Sequence, residues 1–315
     1  MRLNTAFLGS GDFSRDLLYK LLQAGCEFAG VITRPDRPSG RGLRINPTPV
    51  KALAGEEGLQ VYQPTGPKDP AFLSIMEELR PGLLLVSDYG YILTRTILEY
   101  PHNGCVNVHP SLLPRYRGAA PIQRALMDGA CITGVTLMAM DEGMDTGGII
   151  AQEEIGVGDR DDALALRSRL ASLGACMVVD IVPLYLSGSV VARPQDEESA
   201  TYADPIRKPD MLIDWTHVAL NVHNQVRALS PRPGAYTGFR GKRVKILRTL
   251  PREDIQRDRP GMLEVPEKDV ILAGTGKGAL QLEEIQPEGK KAMSAGEFLR
   301  GYRLLPSESF DEPPP

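Results

Sequence analysis

The stretch from Gly104 to Gly148 constrains the fold more than any other part of this chain. Gly104-Cys105-Val106-Asn107-Val108-His109 alternates apolar and polar residues and is followed at once by Pro110. That pattern predicts a short strand ending at His109. Asn107 and His109 are two residues apart, so both side chains point to the same face of a sheet. Pro110-Ser111-Leu112-Leu113-Pro114-Arg115-Tyr116-Arg117-Gly118 carries two prolines and a closing glycine, which makes it loop. A helix is predicted from about Ala119 to Met127 and a second strand over Gly134 to Met140. That strand runs into the acidic, glycine-rich turn Asp141-Glu142-Gly143-Met144-Asp145-Thr146-Gly147-Gly148.

One strand end thus offers an amide and an imidazole, and the end of the next offers carboxylates. In an open α/β sheet the reactive crevice lies outside the carboxyl ends of the strands. If the two strands are neighbours, Asn107, His109 and Asp145 converge there. The set suits acyl transfer. An amide donates to a developing oxyanion, and an imidazole oriented by a carboxylate moves a proton. Each residue also has a plainer reading. A histidine at a strand end is often a hydrogen-bonded core residue, and an aspartate in a glycine-rich turn is often a turn former. Asp141 competes with Asp145 for the carboxylate's place.

A length of 315 residues fits one large or two ordinary domains, and 42% hydrophobic with 24% charged residues is ordinary for a globular protein. Arg2, Asp12, Arg15 and Asp16 interrupt the apolar start, so no signal peptide is expected, and no apolar run reads as long enough to span a bilayer. Cys26, Cys105, Cys131 and Cys176 are far apart and lack metal or redox spacing, which suits a reduced, cytoplasmic protein. The net charge of −4 does not advertise a nucleic-acid binder. Between Asp214 and Glu253, however, no acidic residue occurs. That interval holds Arg227, Arg232, Arg240, Lys242, Arg243, Lys245, Arg248 and Arg252. Such a run is either a solvated face or a surface that tracks phosphates.

In order, the chain opens with an apolar strand at Leu3 to Leu8. The turn Gly9-Ser10-Gly11-Asp12-Phe13 and a helix to Gln23 follow. Ser14 stands where a dinucleotide fingerprint needs its third glycine, so the turn reads as a simple strand-to-helix closure. Arg34 to Pro49, with four prolines and four arginines, reads as a long exposed loop without regular structure, a basic finger carrying Arg37, Arg41 and Arg44. Leu83 to Ser87 is apolar throughout its first four residues, as a central parallel strand should be. A strand at Ile149 to Ile155 and a long helix at Asp161 to Leu186 complete a first domain over residues 1–186. Residues 187–210 are polar and proline-bearing, a linker. Several short strands with glycine turns over 211–306 suggest a small OB-like barrel, a fold that suits nucleic acid. Residues 307–315 read as a disordered tail.

Asn107-Val108-His109-Pro110-Ser111-Leu112-Leu113-Pro114-Arg115-Tyr116-Arg117-Gly118, followed by Met140-Asp141-Glu142-Gly143-Met144-Asp145-Thr146-Gly147, resembles the signature of the folate-dependent formyltransferases. Ala119 to Arg124, Arg34 to Gly42, Ala200-Thr201-Tyr202-Ala203 and Gln286 to Met293 resemble the tRNA-modifying branch of that superfamily. The resemblance runs from Leu3 to about Gly301. It implies a Rossmann-like α/β formyltransferase domain followed by a small β-barrel that binds tRNA. It implies 10-formyltetrahydrofolate as the donor, the α-amino group of methionyl initiator tRNA as the acceptor and a place in translation initiation. No metal and no membrane are expected, and the chain is expected to work as a cytoplasmic monomer.

Carried onto this sequence, the family's assignment makes Asn107, His109 and Asp145 the catalytic trio. Ser111, Leu112, Leu113 and Pro114, with Tyr89 and Gly90, would line the folate pocket. Ser87-Asp88 departs from the small apolar pair usual there, and Gly11 from a common proline. Arg41 sits at the position of the family's key tRNA-binding arginine, flanked by Arg37 and Arg44. Arg240, Lys242, Arg243 and Lys245 would meet tRNA from the C-terminal domain. Three other readings compete. Formylation of a sugar-nucleotide amine is opposed by the basic loop. A non-catalytic tRNA binder is opposed by the intact trio, and a nicotinamide oxidoreductase by the incomplete glycine fingerprint.

Overall fold

Strand and helix signals alternate through the first half of the chain, and that alternation builds a mostly parallel sheet. The computed structural model describes residues 4–39, 44–252, 254–255 and 259–311. In chain order the strands of the first half are β1 (Thr5–Gly9), β2 (Gly30–Ile32), β3 (Arg37–Ser39), β4 (Arg44–Asn46), β5 (Val61–Tyr62), β6 (Leu83–Ser87), β7 (Cys105–His109), β8 (Arg117–Gly118), β9 (Ile132–Ala139) and β10 (Gly148–Gly156). The helices are α1 (Asp12–Gln23), α2 (Pro49–Glu56), α3 (Pro70–Leu79), α4 (Arg95–Leu98), α5 (Pro121–Met127) and α6 (Ala163–Leu186). Start signals are conventional: Thr48 and Asp69 cap α2 and α3 by accepting from Lys51 N and Ala71 N, each with proline in the first turn.

The seven-stranded sheet has the order β10-β9-β7-β6-β1-β2-β5. β7, β6, β1, β2 and β5 are parallel, β9 runs antiparallel to β7, and β10 antiparallel to β9. One face packs Ala6, Leu8, Leu84 and Val86 against Phe72, Ile75 and Met76. On the other, α6 approaches closely at Gly174, where an added Cβ would meet Val108 Cγ1 at 2.9 Å. By length and composition α6 is apolar enough to cross a membrane, contrary to the expectation that no such run exists. The reason is that Leu170 to Leu186 carries only Asp180 as a charge. Its apolar residues Leu166, Leu170, Ala171, Met177 and Val178 are buried in this fold.

Three further expectations are corrected. Arg34 to Pro49 is not wholly irregular, because β3 and β4 pair as an antiparallel ladder with Arg37 opposite Asn46 and Ser39 opposite Arg44. Exposed short edges tolerate proline, which is why the composition concealed them. The region read as a linker contains β11 (Tyr202–Ala203), which pairs in parallel with β8. Within the segment read as a disordered tail, Phe310 and Asp311 are held in place. Phe310 is buried against Trp215 with ring centroids 4.9 Å apart, and Asp311 exchanges backbone hydrogen bonds with Gly238.

Two compact units emerge: residues 1–121, 132–156 and 167–204, and residues 122–131, 157–166 and 205–315. The second contains α7 (Lys208–Met211), α8 (Ala219–Leu229), β12 (Ala235–Phe239), β13 (Lys242–Arg252), β14 (Leu263–Glu264), β15 (Ile271–Gly274), β16 (Ala279–Pro287), β17 (Met293–Ser294) and α9 (Ala295–Gly301). Its sheet is antiparallel and curled, in the order β12-β13-β16-β15-β14, with β17 on β16. Inward residues of alternate register, such as Val244, Ile246, Leu280 and Leu282, pack with Val222 and Val226 of α8 and with Phe239 and Phe298. The fold class is therefore the expected one: a Rossmann-like α/β unit and a small β-barrel-like unit.

Candidate active site

β7 delivers Asn107 and His109 to one face of the sheet, beside Val86 of β6 and opposite Met138 and Thr136 of β9. Both are nearly buried, at 7% and 5% exposure. The carboxylate does not come from a neighbouring strand end. β9 is antiparallel, so its last residue, Ala139, lies opposite Val106, at the start of β7. Asp145 arrives instead because the loop from Met140 to Gly147 doubles back. Gly147 permits the return, since a Cβ there would sit 1.9 Å from Ala139 O. Asp145 itself adopts a left-handed backbone, φ 56°.

The three side chains then meet. Asn107 Nδ2 donates to Asp145 Oδ1 at 3.3 Å. Asp145 Oδ2 accepts from Gly118 N at 2.9 Å and lies 3.7 Å from His109 Nδ1. The last separation is too long for a hydrogen bond. The imidazole is oriented chiefly by its other nitrogen, with Nε2 3.0 Å from Tyr116 O. A carbonyl only accepts, so Nε2 is assigned a proton, and Nδ1 faces Asp145. Asp141 is exposed, and its Oδ1 accepts from Gly143 N and from Thr146 Oγ1 within its own turn.

The residues expected around folate fall into two groups. Ser111 is fully buried, and Ser111 Oγ donates to Arg115 O at 2.7 Å. Thr136 Oγ1 accepts from Leu113 N and donates to Ser111 O, which pins the loop through Leu112 and Pro114 to β9. Gln152 Nε2 donates to Leu113 O at 2.7 Å. Tyr89 is a core residue at 2% exposure, in edge contact with Phe72 and Tyr91. Burial pushes its phenol well above the usual range, and among the described residues its hydroxyl has no hydrogen-bond partner. Tyr89 therefore offers no open side-chain wall, in contrast to the expectation. Gly90 is exposed with φ 80° and lies against Arg34. Ser87 is buried and donates to Val108 O, so its polarity is spent inside the sheet. The described residues include no cluster of three or more histidine, cysteine or acidic side chains arranged to hold a metal ion.

Sequence reasoning overlooked a support beneath this site. Arg117 is completely buried, and its guanidinium forms a bidentate pair with Glu197 at 2.7 and 2.8 Å. It also donates twice to Gln195 Oε1. Gln195 Nε2 in turn donates to Asp145 O and Gly147 O, each at 2.8 Å. Arg117 stood in the recognised string. Gln195 lay in a proline-bearing segment with no pattern to mark it.

The basic residues also divide. Arg37 Nη2 donates to Tyr91 Oη at 2.8 Å on the surface. Arg41 and the side chain of Arg44 lie outside the described residues. In the second unit, alternation along β13 sets Arg243 and Lys245 on the face opposite Val244 and Ile246, beside Tyr236. Arg243 lies over the Tyr236 ring at 4.5 Å, and Lys245 Nζ donates to Pro233 O. Lys242 is exposed at the start of the strand. Arg240 is bound bidentately to Glu308 at 2.6 and 2.9 Å, so its charge is largely compensated.

Residues 2–182 match the formyl transferase family and residues 205–303 match the formyl transferase C-terminal domain. A methionyl-tRNA formyltransferase of Moorella thermoacetica is 43% identical over 308 residues, 98% of each chain. Another, from Syntrophomonas wolfei, is 42% identical over 305 residues, 96% of this chain and 97% of its own. The chain belongs to the methionyl-tRNA formyltransferase family. Solved structures share the fold at much lower identity. HypX from Aquifex aeolicus in complex with tetrahydrofolic acid has a TM-score of 0.67 at 17% identity, covering 99% of this chain and 51% of that one. The methionyl-tRNA formyltransferase from Clostridium thermocellum has a TM-score of 0.54 at 15% identity over 79% of this chain and 93% of that one. Family membership gives the signature loops a common origin with those relatives. The distances above are this chain's own.

Proposed function

We infer that this chain transfers the formyl group of 10-formyltetrahydrofolate to the α-amino group of methionyl initiator tRNA, with Asn107, His109 and Asp145 as its reacting set. The observation that carries this reading is the convergence of an amide, an imidazole and a carboxylate on β7 and its returning loop in a member of this family. The neutral α-amine attacks the formyl carbon, a C–N bond forms, and the carbonyl oxygen becomes an oxyanion. Asn107 Nδ2 uses one hydrogen on Asp145 Oδ1 and directs the other at that oxyanion. The bond from the formyl carbon to the folate nitrogen then breaks. His109 takes the proton of the attacking nitrogen and returns it to the departing one, and Asp145 stabilises the imidazolium in between.

Ser111 to Pro114, fixed to β9 through Thr136, shape the folate pocket through their backbone groups. Tyr89 and Gly90 contribute through backbone only. The basic segment from Arg34 to Pro49, with Arg37, Arg41 and Arg44, grips the acceptor end of the tRNA. The C-terminal domain, residues 211–306, adds affinity for the tRNA backbone through Arg243 and Lys245, with Lys242 beside them. Arg240 serves the fold more than the ligand. The chain works as a monomer in the cytoplasm, where aminoacylated tRNA and folate meet.

The test is a formyl-transfer assay on purified protein with methionyl initiator tRNA, with and without 10-formyltetrahydrofolate. Small amines, sugar-nucleotide amines included, replace the tRNA in parallel. Formyl-methionyl-tRNA that forms only with donor and tRNA present is the expected result. Transfer to small amines at equal efficiency would refute the acceptor assignment.

A further inference from the structure

We propose that the segment from Gln195 to Thr201 is the positioning strap of the active site, with Gln195 acting through Asp145 and Thr201 acting through Tyr116. The proposal rests on the reading of Asn107, His109 and Asp145 as the reacting groups. Both residues that flank the imidazole stand in a backbone conformation that side chains rarely adopt: Tyr116 has φ 62° and Asp145 φ 56°. Such conformations persist only where the surroundings over-determine them. Within the signature loops, Asn107 Nδ2 and Gly118 N hold the Asp145 carboxylate and His109 Nε2 meets Tyr116 O. Bonds to Asp145 O and to Tyr116 N come in addition from a segment fifty to eighty-five residues later in the chain.

Gln195 is 9% exposed and uses its whole amide. Oε1 accepts from Arg117 Nε at 3.1 Å and Nη2 at 2.8 Å, and Nε2 donates to Asp145 O and Gly147 O. An amide has two donors and two acceptor sites, so all four are occupied. The orientation is also unique. Turning the amide over would set its NH2 against guanidinium donors and its oxygen against two carbonyls. Arg117 cannot move to relieve that, because Glu197 holds it from the other side. Gln195 therefore fixes the backbone on both sides of Thr146, and with it the carboxylate 3.7 Å from His109 Nδ1.

Thr201 does the same for the other nitrogen. Its Oγ1 accepts from Tyr116 N at 2.8 Å, its N donates to Pro114 O at 3.2 Å, and its O accepts from Arg117 N at 2.9 Å. Tyr116 O is the acceptor that orients His109 Nε2. One strap thus sets both sides of a single imidazole. Neither side chain reaches the reacting atoms, so the effect belongs in turnover and not in substrate affinity. Small displacements of reacting groups cost up to about a hundredfold in rate.

The test uses Gln195→Met, which keeps the length and removes the amide, together with Thr201→Val and Thr201→Ser, each assayed with folate and tRNA varied separately. Gln195→Met and Thr201→Val should lose about tenfold to a hundredfold in kcat with both KM values within about twofold, and Thr201→Ser should recover most of the activity. Asp145→Ala and the double variant Gln195→Met/Asp145→Ala complete a cycle. If Gln195 acts through Asp145, its removal costs nothing further once Asp145 is gone. Near-normal turnover in Asp145→Ala would sink the catalytic reading itself. A crippled Asp145→Ala beside unchanged kcat in Gln195→Met and Thr201→Val, or additive losses in the cycle, would overturn the strap and leave that reading intact. Should Gln195→Met fail to fold, the Thr201 pair decides: equal loss in Thr201→Ser and Thr201→Val overturns the proposal.

Discussion

Asn107 Nδ2 has two hydrogens, and Asp145 Oδ1 takes one of them at 3.3 Å. The other is left on a buried strand, and under the proposed reading it serves the oxyanion. Asn107→Ala should lower turnover by about a hundred- to a thousandfold, the usual loss for such a donor. Steady-state kinetics checks this, with folate binding measured by direct titration and expected to survive. A second residue matters for stability. His223 of α8 is buried, with Nδ1 2.9 Å from Thr249 Oγ1 and Nε2 3.2 Å from Asp159 O. Burial lowers its pKa, with the charge of Arg227 adding to the effect. The folded state thus binds the proton less readily than the unfolded state. The stability His223 supports is complete above the ordinary histidine pKa of about 6.5 and falls as the pH drops towards the lowered folded value. Melting temperature followed from pH 7.5 to 5 should therefore show an acid limb in the parent protein that is shallower in His223→Gln.

At the scale of elements, the signature works because β7, its loop and the return from β9 are clamped to one another. Thr136 ties the Ser111–Leu113 segment to β9, and Gly147 lets the acidic loop fold back. The β3–β4 hairpin is a different kind of element, short, exposed and basic. Arg37 and Asn46 pair across it. No aliphatic or aromatic residue occurs from Arg34 to Gly42, and Ile45 of β4 is 72% exposed, so core packing is not its purpose. Arginine's planar fork suits phosphates and base edges in a way that a point charge does not. Arg41→Ala should lose formylation of methionyl-tRNA while folate affinity holds, and Arg41→Lys should rescue only in part. Kinetics with each substrate varied alone decides it, because equal loss in both dependences would make the hairpin a part of the folate site.

For the whole molecule, a net charge of −4 hides a local surplus. The second unit carries Arg243 and Lys245 side by side on the outer face of β13 with the Tyr236 ring beneath the guanidinium. Arg243→Gln/Lys245→Gln should weaken tRNA binding and reduce the slope of log affinity against log salt by about one to two. Arg240→Gln should change that slope little, since Glu308 already neutralises it. Affinities measured across a salt series test both, and an unchanged slope in the double variant would make this face merely solvated.

What the sequence determined by itself was whatever local pattern and shared ancestry encode. Alternation ending at Pro110 marked β7 and put Asn107 and His109 on one face. The apolar run Leu83 to Val86 marked a central parallel strand, and the glycine-punctuated strands after Ile213 marked a small barrel. The resemblance carried by residues 107–118 and 140–147 pointed to the family before any geometry was known. The tertiary structure decided what depends on partners distant in the chain. β9 is antiparallel, so Asp145 reaches the site by a returning loop, which no periodicity could announce. Tyr116 O, not Asp145, orients the imidazole, because the backbone there turns left-handed. Gln195 and Thr201 support the site from a segment whose composition reads as linker, since hydrogen bonds spanning fifty to eighty-five residues leave no trace in local spacing. Arg240 sits in a basic run yet is neutralised from residue 308, a pairing of charges that only folding brings together.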